Sequence, residues 1–170
     1  MTQKEIDNII EKAEKIAFEL KDLMLKGNYS AATAESCTGG LVARLFTEVP
    51  GSSEYYLGGV VSYTNKIKME YLDVKAETLD KYTAVSSQTA KEMSEGIRNG
   101  MKSDFGLSVT GIAGPGGATK DNPLGTVYFG LASKQGTKIF HKVFPGSRSA
   151  VRAQAALFIL EQLKAELEKH

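Results

Sequence analysis

Ala34-Glu35-Ser36-Cys37-Thr38-Gly39-Gly40 sets a hydroxyl, a thiol, a second hydroxyl and two glycines between a short apolar strand and a helical run. A small glycine-containing turn at a strand-to-helix junction exposes a nucleophile and aims backbone N–H groups at developing negative charge. The same residues also suit a plain helix cap, because Ser and Thr are favoured there. The chain has only two histidines, His141 in an expected strand and His170 at the end. Their placement argues against a Ser-His-Asp triad, and points to a lysine, a carboxylate or a tyrosine as the base for Ser36.

Outward from that turn, the pattern alternates helix and strand. Upstream, residues 3–26 place Ile6, Ile9, Ile10, Ala13, Ile16, Ala17, Leu20 and Met24 on one helical stripe with charge opposite, and Gly27-Asn28 ends it. A strand is expected over 29–34, and a helix through Phe46 that begins at Thr38 or Gly39. Downstream, 57–64 (LGGVVSYT) reads as strand, followed by helical segments through Met69 and over 76–81. Ser86 or Ser87 can cap a helix carrying Thr89, Met93, Ile97 and Met101. Residues 104–110 alternate as a half-buried strand, and 111–123 form a glycine-rich loop. A hairpin follows over 125–132 and 137–144 around Lys134-Gln135-Gly136. A last helix carries Ala156, Leu160, Leu163 and Leu167 on one face. The implied fold is α/β: a single three-layer α/β/α domain over 1–170 with a mixed sheet, its final strands antiparallel.

Composition narrows the class of function. With 21 basic against 20 acidic residues, a net charge of +1 gives no electrostatic footprint for nucleic acid. One cysteine permits no internal disulfide. Charges at Lys4, Glu5, Asp7, Glu11, Lys12, Glu14 and Lys15 interrupt the N-terminus, so no apolar leader is expected. No run of eighteen apolar residues occurs, so no membrane span is expected and a cytoplasmic location is. Metal-ligand spacing is absent.

Four segments bear on chemistry. Cys37 competes with Ser36 as nucleophile, although a lone cysteine is most often a small buried hydrophobe. In Tyr63-Thr64-Asn65-Lys66-Ile67-Lys68, two lysines follow a strand end. For either to serve as a base near neutrality, its pKa must fall from about 10.4 to near 7, about 4 kcal/mol against the ammonium. Burial beside another cation would accomplish this. Gly111-Ile112-Ala113-Gly114-Pro115-Gly116-Gly117 has neither Walker nor dinucleotide spacing and supports only a tight turn or an anion nest. Gly146-Ser147-Arg148 opens the last helix, where N–H groups and a guanidinium attract anions.

Taken together, these segments resemble the CinA C-terminal domain family, whose stand-alone members include nicotinamide mononucleotide deamidase. The resemblance runs from about residue 3 to 167. It is carried by AESCTGG at 34–40, PGSSEYYLGGVVSYTNKIK at 50–68, ETL at 77–79, AVS at 84–86, VTGIAGPGG at 109–117, PLGTVYFG at 123–130 and FPGSR at 144–148. Two positions depart from the family pattern: Ser147 stands where an acidic residue is common, and Lys66-Ile67 replaces an acidic-aliphatic pair.

The resemblance implies a serine/lysine amidohydrolase. Ser36 is the implied nucleophile, Lys68 its base and Tyr63 a hydroxyl in the proton relay. Thr38, Gly39, Gly40, Asn65, Thr110, Gly111, Gly114 and Arg148 are implied around the substrate, with Arg148 as its cation. No metal or organic cofactor is implied. The expected partner is a small nucleotide substrate rather than nucleic acid or membrane, and a homo-oligomer, dimer or larger, is expected from the family. A non-catalytic nucleotide-binding or regulatory module tied to competence or DNA damage, and a hydrolase of another small amide, stay open as alternatives.

Overall fold

The computed structural model describes residues 1–169, so His170 lies outside the described residues. Its elements are α1 (Gln3–Gly27), β1 (Ala31–Glu35), α2 (Leu41–Thr47), a 3-10 turn (Ser52–Glu54), β2 (Tyr56–Val61), α3 (Asn65–Leu72), α4 (Ala76–Tyr82), α5 (Ser87–Met101), β3 (Phe105–Gly111), β4 (Thr126–Ser133), β5 (Gly136–Val143) and α6 (Arg148–Leu167). The five strands form one sheet in the order β2-β1-β3-β4-β5. β1 is parallel to both β2 and β3, while β4 runs antiparallel to its neighbours β3 and β5. This is the mixed α/β sheet that the pattern implies.

Period-2 alternation divides β1 between two cores. Ala31 packs with α1, α2 and α6 through residues such as Ala17, Leu20, Phe46, Ile159 and Leu160. Ala32 and Ala34 face the opposite way, onto Leu72, Leu79, Met93 and Ile97 of α3, α4 and α5. Three layers result. The α1 stripe docks as its periodicity predicts, with Ile6, Ala13, Ala17, Leu20 and Met24 buried and Asn28 ending the helix in the left-handed region. Ala156, Leu160, Leu163 and Leu167 of α6 are likewise buried.

Element ends differ from the pattern reading where turn chemistry intervenes. α2 begins at Leu41 rather than at Thr38 or Gly39, because Gly39 (φ 59°) and Gly40 (φ 93°) are left-handed and cannot be helical. β2 stops at Val61, since Thr64 turns off to cap α3 and accepts the Ile67 N–H at 3.4 Å. α3 continues beyond Met69 to Leu72. Ser86, not Ser87, caps α5, accepting the Thr89 N–H at 3.2 Å. β4 and β5 pair from Ser133 and Gly136, leaving Lys134-Gln135 as the turn.

The register brings the three parallel strands to a common end. Glu35 lies opposite both Val61 and Val109. Ser36 N–H then donates to the Val109 carbonyl at 2.9 Å and Ser62 N–H to the Glu35 carbonyl at 2.7 Å. Residues just past β1, β2 and β3 therefore meet at the carboxyl edge, where open α/β sheets bind their ligands. No helix among the described residues is long and apolar enough to cross a membrane.

Candidate active site

A cleft of about 190 Å³ opens at this edge, lined by Ser36 and Cys37 after β1, Tyr63, Asn65 and Lys68 after β2, Thr110 and Gly111 at the end of β3, and Arg148 from α6. At its floor the Lys68 amine donates to Ser36 Oγ at 3.0 Å and to the Ser62 carbonyl at 2.6 Å. Lys68 and Leu72, one turn apart, form the buried face of α3. Lys66 sits two positions earlier, roughly 200° around the helix, and is exposed. Which of the two lysines lies beside Ser36, open in the local sequence, follows from which face of α3 meets the sheet.

Lys68 is 1% exposed. Burial disfavours the ammonium and lowers its pKa from 10.5 to about 8. No neighbouring cation contributes to that fall, and burial alone stops at about 8, short of the value near 7 expected from burial beside a second cation. Cys37 responds in the opposite sense. Its buried thiol is pushed up to about 12, chiefly by desolvation and further by the Glu35 carboxylate. The thiol is therefore neutral near pH 7 and packs in the larger core.

Tyr63 lies apart from the Ser36–Lys68 contact. It is 59% exposed, and its hydroxyl accepts from Arg148 Nη2 at 2.8 Å. Among the described residues it makes no hydrogen bond to Ser36 or Lys68, which meet without an intermediary. Arg148 Nη1 donates to the Gly114 carbonyl at 2.9 Å, so this guanidinium joins the β2–α3 junction, the glycine-rich loop and the start of α6. Thr110 is buried, and its hydroxyl donates to the Ala84 carbonyl at 2.6 Å. Asn65 and Gly111 line the cleft, whereas Thr38, Gly39, Gly40 and Gly114 do not. Thr38 is fully buried, with its hydroxyl unpartnered. The Gly40 N–H is occupied by a Glu35 carboxylate oxygen at 3.0 Å. His141 is away from the cleft, stacked on Tyr128 at 4.4 Å between ring centroids.

Sequence reasoning passed over four residues of this region. Glu35 is 1% exposed and accepts from the Gly40, Val42 and Ala43 N–H groups, serving as the missing cap of α2. Its signal was an acid closing a strand of small residues. Arg152 donates to the Thr38 carbonyl at 2.8 Å, one helical turn from Arg148 on the same face of α6. Ala84 and Val85 complete the cleft wall and had no distinguishing chemistry.

The model of the CinA C-terminal domain family matches residues 13–167. The chain belongs to the CinA C-terminal domain family. A CinA-like protein of Leptospira borgpetersenii is 50% identical over 139 residues, covering 81% of this chain and 33% of the relative. A CinA-like protein of Fusobacterium nucleatum is 49% identical over 138 residues, again 81% of this chain and 33% of the relative. The chain thus spans about a third of the length of these curated CinA relatives. Among solved structures, the competence damage-inducible protein A of Klebsiella pneumoniae aligns with a TM-score of 0.89 at 32% identity, covering 92% of this chain and 97% of that one. The competence/damage inducible protein CihA of Agrobacterium tumefaciens aligns with a TM-score of 0.86 at 36% identity, covering 92% and 96%. The CinA fold and this chain's three-layer architecture are therefore the same.

Proposed function

We propose that this domain is a serine/lysine amidohydrolase that converts nicotinamide mononucleotide and water into nicotinate mononucleotide and ammonia. The reading rests on one observation above all: a buried lysine with a pKa near 8 stands 3.0 Å from a serine hydroxyl in a cleft. Burying a lysine in this way costs stability, and a plain helix cap would not require it. A non-catalytic binding module gives no account of that cost.

In the neutral form, Lys68 takes the proton of Ser36 as Oγ bonds to the carboxamide carbon. The tetrahedral intermediate collapses as the C–N bond breaks, and Lys68 returns its proton to the departing nitrogen, releasing ammonia. Water then attacks the ester, giving up a proton to Lys68, and the acid leaves as Ser36 recovers its hydrogen. No step needs a metal. A cleft of about 190 Å³ is smaller than the roughly 300–1,000 Å³ of sites that enclose whole drug-sized ligands. It suits the pyridine carboxamide, with the ribose phosphate extending outward past Arg148.

Ammonia release from nicotinamide mononucleotide, measured against a panel of small amides with Ser36→Ala as control, tests the assignment. Selective turnover lost in the variant supports it. Preference for another amide overturns the substrate, and turnover of none by the native chain overturns the enzyme.

A further inference from the structure

Most backbone donors of the turn that carries Ser36 can be followed to an acceptor. Ser36 N–H goes to the Val109 carbonyl, Gly39 N–H to the Ser36 carbonyl at 3.1 Å, and Leu41 N–H to the Thr38 carbonyl at 3.2 Å. The Gly40, Val42 and Ala43 N–H groups all go to the Glu35 carboxylate, at 3.0, 3.1 and 2.8 Å. Two remain. The Cys37 N–H faces only its own sulfur, a weak acceptor because the thiol stays protonated to about 12. The Thr38 N–H has no acceptor among the described residues.

Uncommitted donors next to a nucleophile are what an oxyanion needs, and donors already bonded cannot serve without breaking a bond. We propose that the N–H groups of Cys37 and Thr38 bind the oxyanion formed at Ser36, and that Glu35 is the positioning residue that reserves this task for them. The proposal rests on Ser36 being the nucleophile but not on the identity of the amide.

Glu35 acts through α2. An uncapped helix start presents its open N–H groups and positive dipole end to any anion nearby. In this chain that start follows Ser36 by only a few residues, and it would compete for the developing charge. The carboxylate takes up those donors and disperses its own charge over three of them. On the opposite side of the turn, Arg152 holds the Thr38 carbonyl with Nη2 at 2.8 Å and Nε at 3.3 Å. The peptide groups flanking Thr38 are thus held from both ends. A glutamine at 35 cannot reproduce this, because its NH₂ meets N–H groups where a carboxylate oxygen accepted.

The test replaces single backbone amides by esters. An α-hydroxy acid in place of Cys37 or Thr38 keeps the side chain and removes only the N–H. A phosphonofluoridate probe reports on the hole without any amide substrate: Ser36 Oγ bonds to phosphorus, the P–F bond breaks, fluoride leaves and the serine proton passes to Lys68. Mass spectrometry of intact protein gives the labelling rate at Ser36. Each ester should slow labelling by roughly 10²–10³-fold, the usual cost of one oxyanion donor, and any amide turnover should lose kcat with KM nearly unchanged. Glu35→Gln should slow labelling roughly ten- to a hundredfold with the same kcat-against-KM split. If that variant does not fold, the esters still decide. Native labelling with unchanged ester rates overturns the oxyanion assignment alone. No labelling of the native chain overturns the nucleophile, and the assignment with it.

Discussion

Lys68 donates to the Ser62 carbonyl at 2.6 Å while standing 3.0 Å from Ser36 Oγ. A neutral amine has one lone pair, and occupying an N–H on Ser62 turns that pair toward the serine. Ser62 is itself pinned, its N–H on the Glu35 carbonyl, so the register of β1 against β2 sets the distance between base and nucleophile.

Activity should follow the hydroxyl and not the thiol. Ser36→Ala is expected to lose nearly all turnover, whereas Cys37→Ala keeps a substantial fraction, because a thiol held protonated to about 12 supplies almost no thiolate. Cys37→Ala should also lower Tm modestly, since the side chain fills the larger core. Steady-state assays of the two variants check this, and the reverse ordering sinks the serine assignment.

The pH profile should report Lys68. A base must be neutral, so kcat/KM is expected to climb with pH and level off above about 8. Lys68→Ala should abolish acylation, while Lys66→Ala, on the exposed face of α3, has a minor effect. A flat profile from pH 5.5 to 9, with pH the only variable, or a dead Lys66 variant, is incompatible with this base.

Much of this arrangement was readable before any coordinates. The α1 stripe, the β4–β5 hairpin and a serine cap at 86 or 87 are local patterns, and local patterns survive folding when nothing opposes them. The Ser36 turn stood out because hydroxyl residues and glycines at a strand-to-helix junction suit either an exposed nucleophile or a plain helix cap. The rest depends on pairs distant in sequence. Nothing near Lys66 and Lys68 says which of them faces inward, because that depends on how α3 lies across the sheet. Tyr63 and Arg148 meet across 85 positions, and neither neighbourhood announces the other. Glu35 had no role assigned in the sequence, because its capping of α2 depends on the left-handed Gly39-Gly40 turn that brings the helix start back onto its carboxylate.

Burying Lys68 should cost stability in a pH-dependent way. Its folded pKa, about 8, lies below the ordinary 10.5. Below pH 8 both folded and unfolded chains carry the charge, and the folded state bears the full penalty, about 3 kcal/mol for that difference. Between pH 8 and 10.5 the unfolded chain binds more protons, so native stability rises relative to a variant without the amine. Lys68→Met should therefore be more stable than the native chain at pH 7, and that advantage should shrink as pH passes from 8 to 10.5. Paired denaturant titrations at pH 7 and near 10 measure it. A difference that does not change with pH places the cost elsewhere than in the charge.

Recognition of the phosphate should depend on Arg148. Its two terminal nitrogens each donate once, to Gly114 and to Tyr63, which leaves three of the five guanidinium N–H groups for an incoming anion. Among the described residues no carboxylate pairs with it, so its charge is not already neutralised. Losing one charge-assisted contact costs about 1.5–3 kcal/mol, so Arg148→Ala should lower kcat/KM for nicotinamide mononucleotide roughly ten- to a hundredfold. Tyr63→Phe removes only the hydroxyl that steadies the guanidinium and should raise KM roughly two- to tenfold with kcat little changed. Nicotinamide riboside, lacking the phosphate, should be a poor substrate for the native chain and nearly indifferent to Arg148→Ala. Equal losses on riboside and mononucleotide would mean that Arg148 holds the glycine-rich loop to α6 and leaves the phosphate to another group.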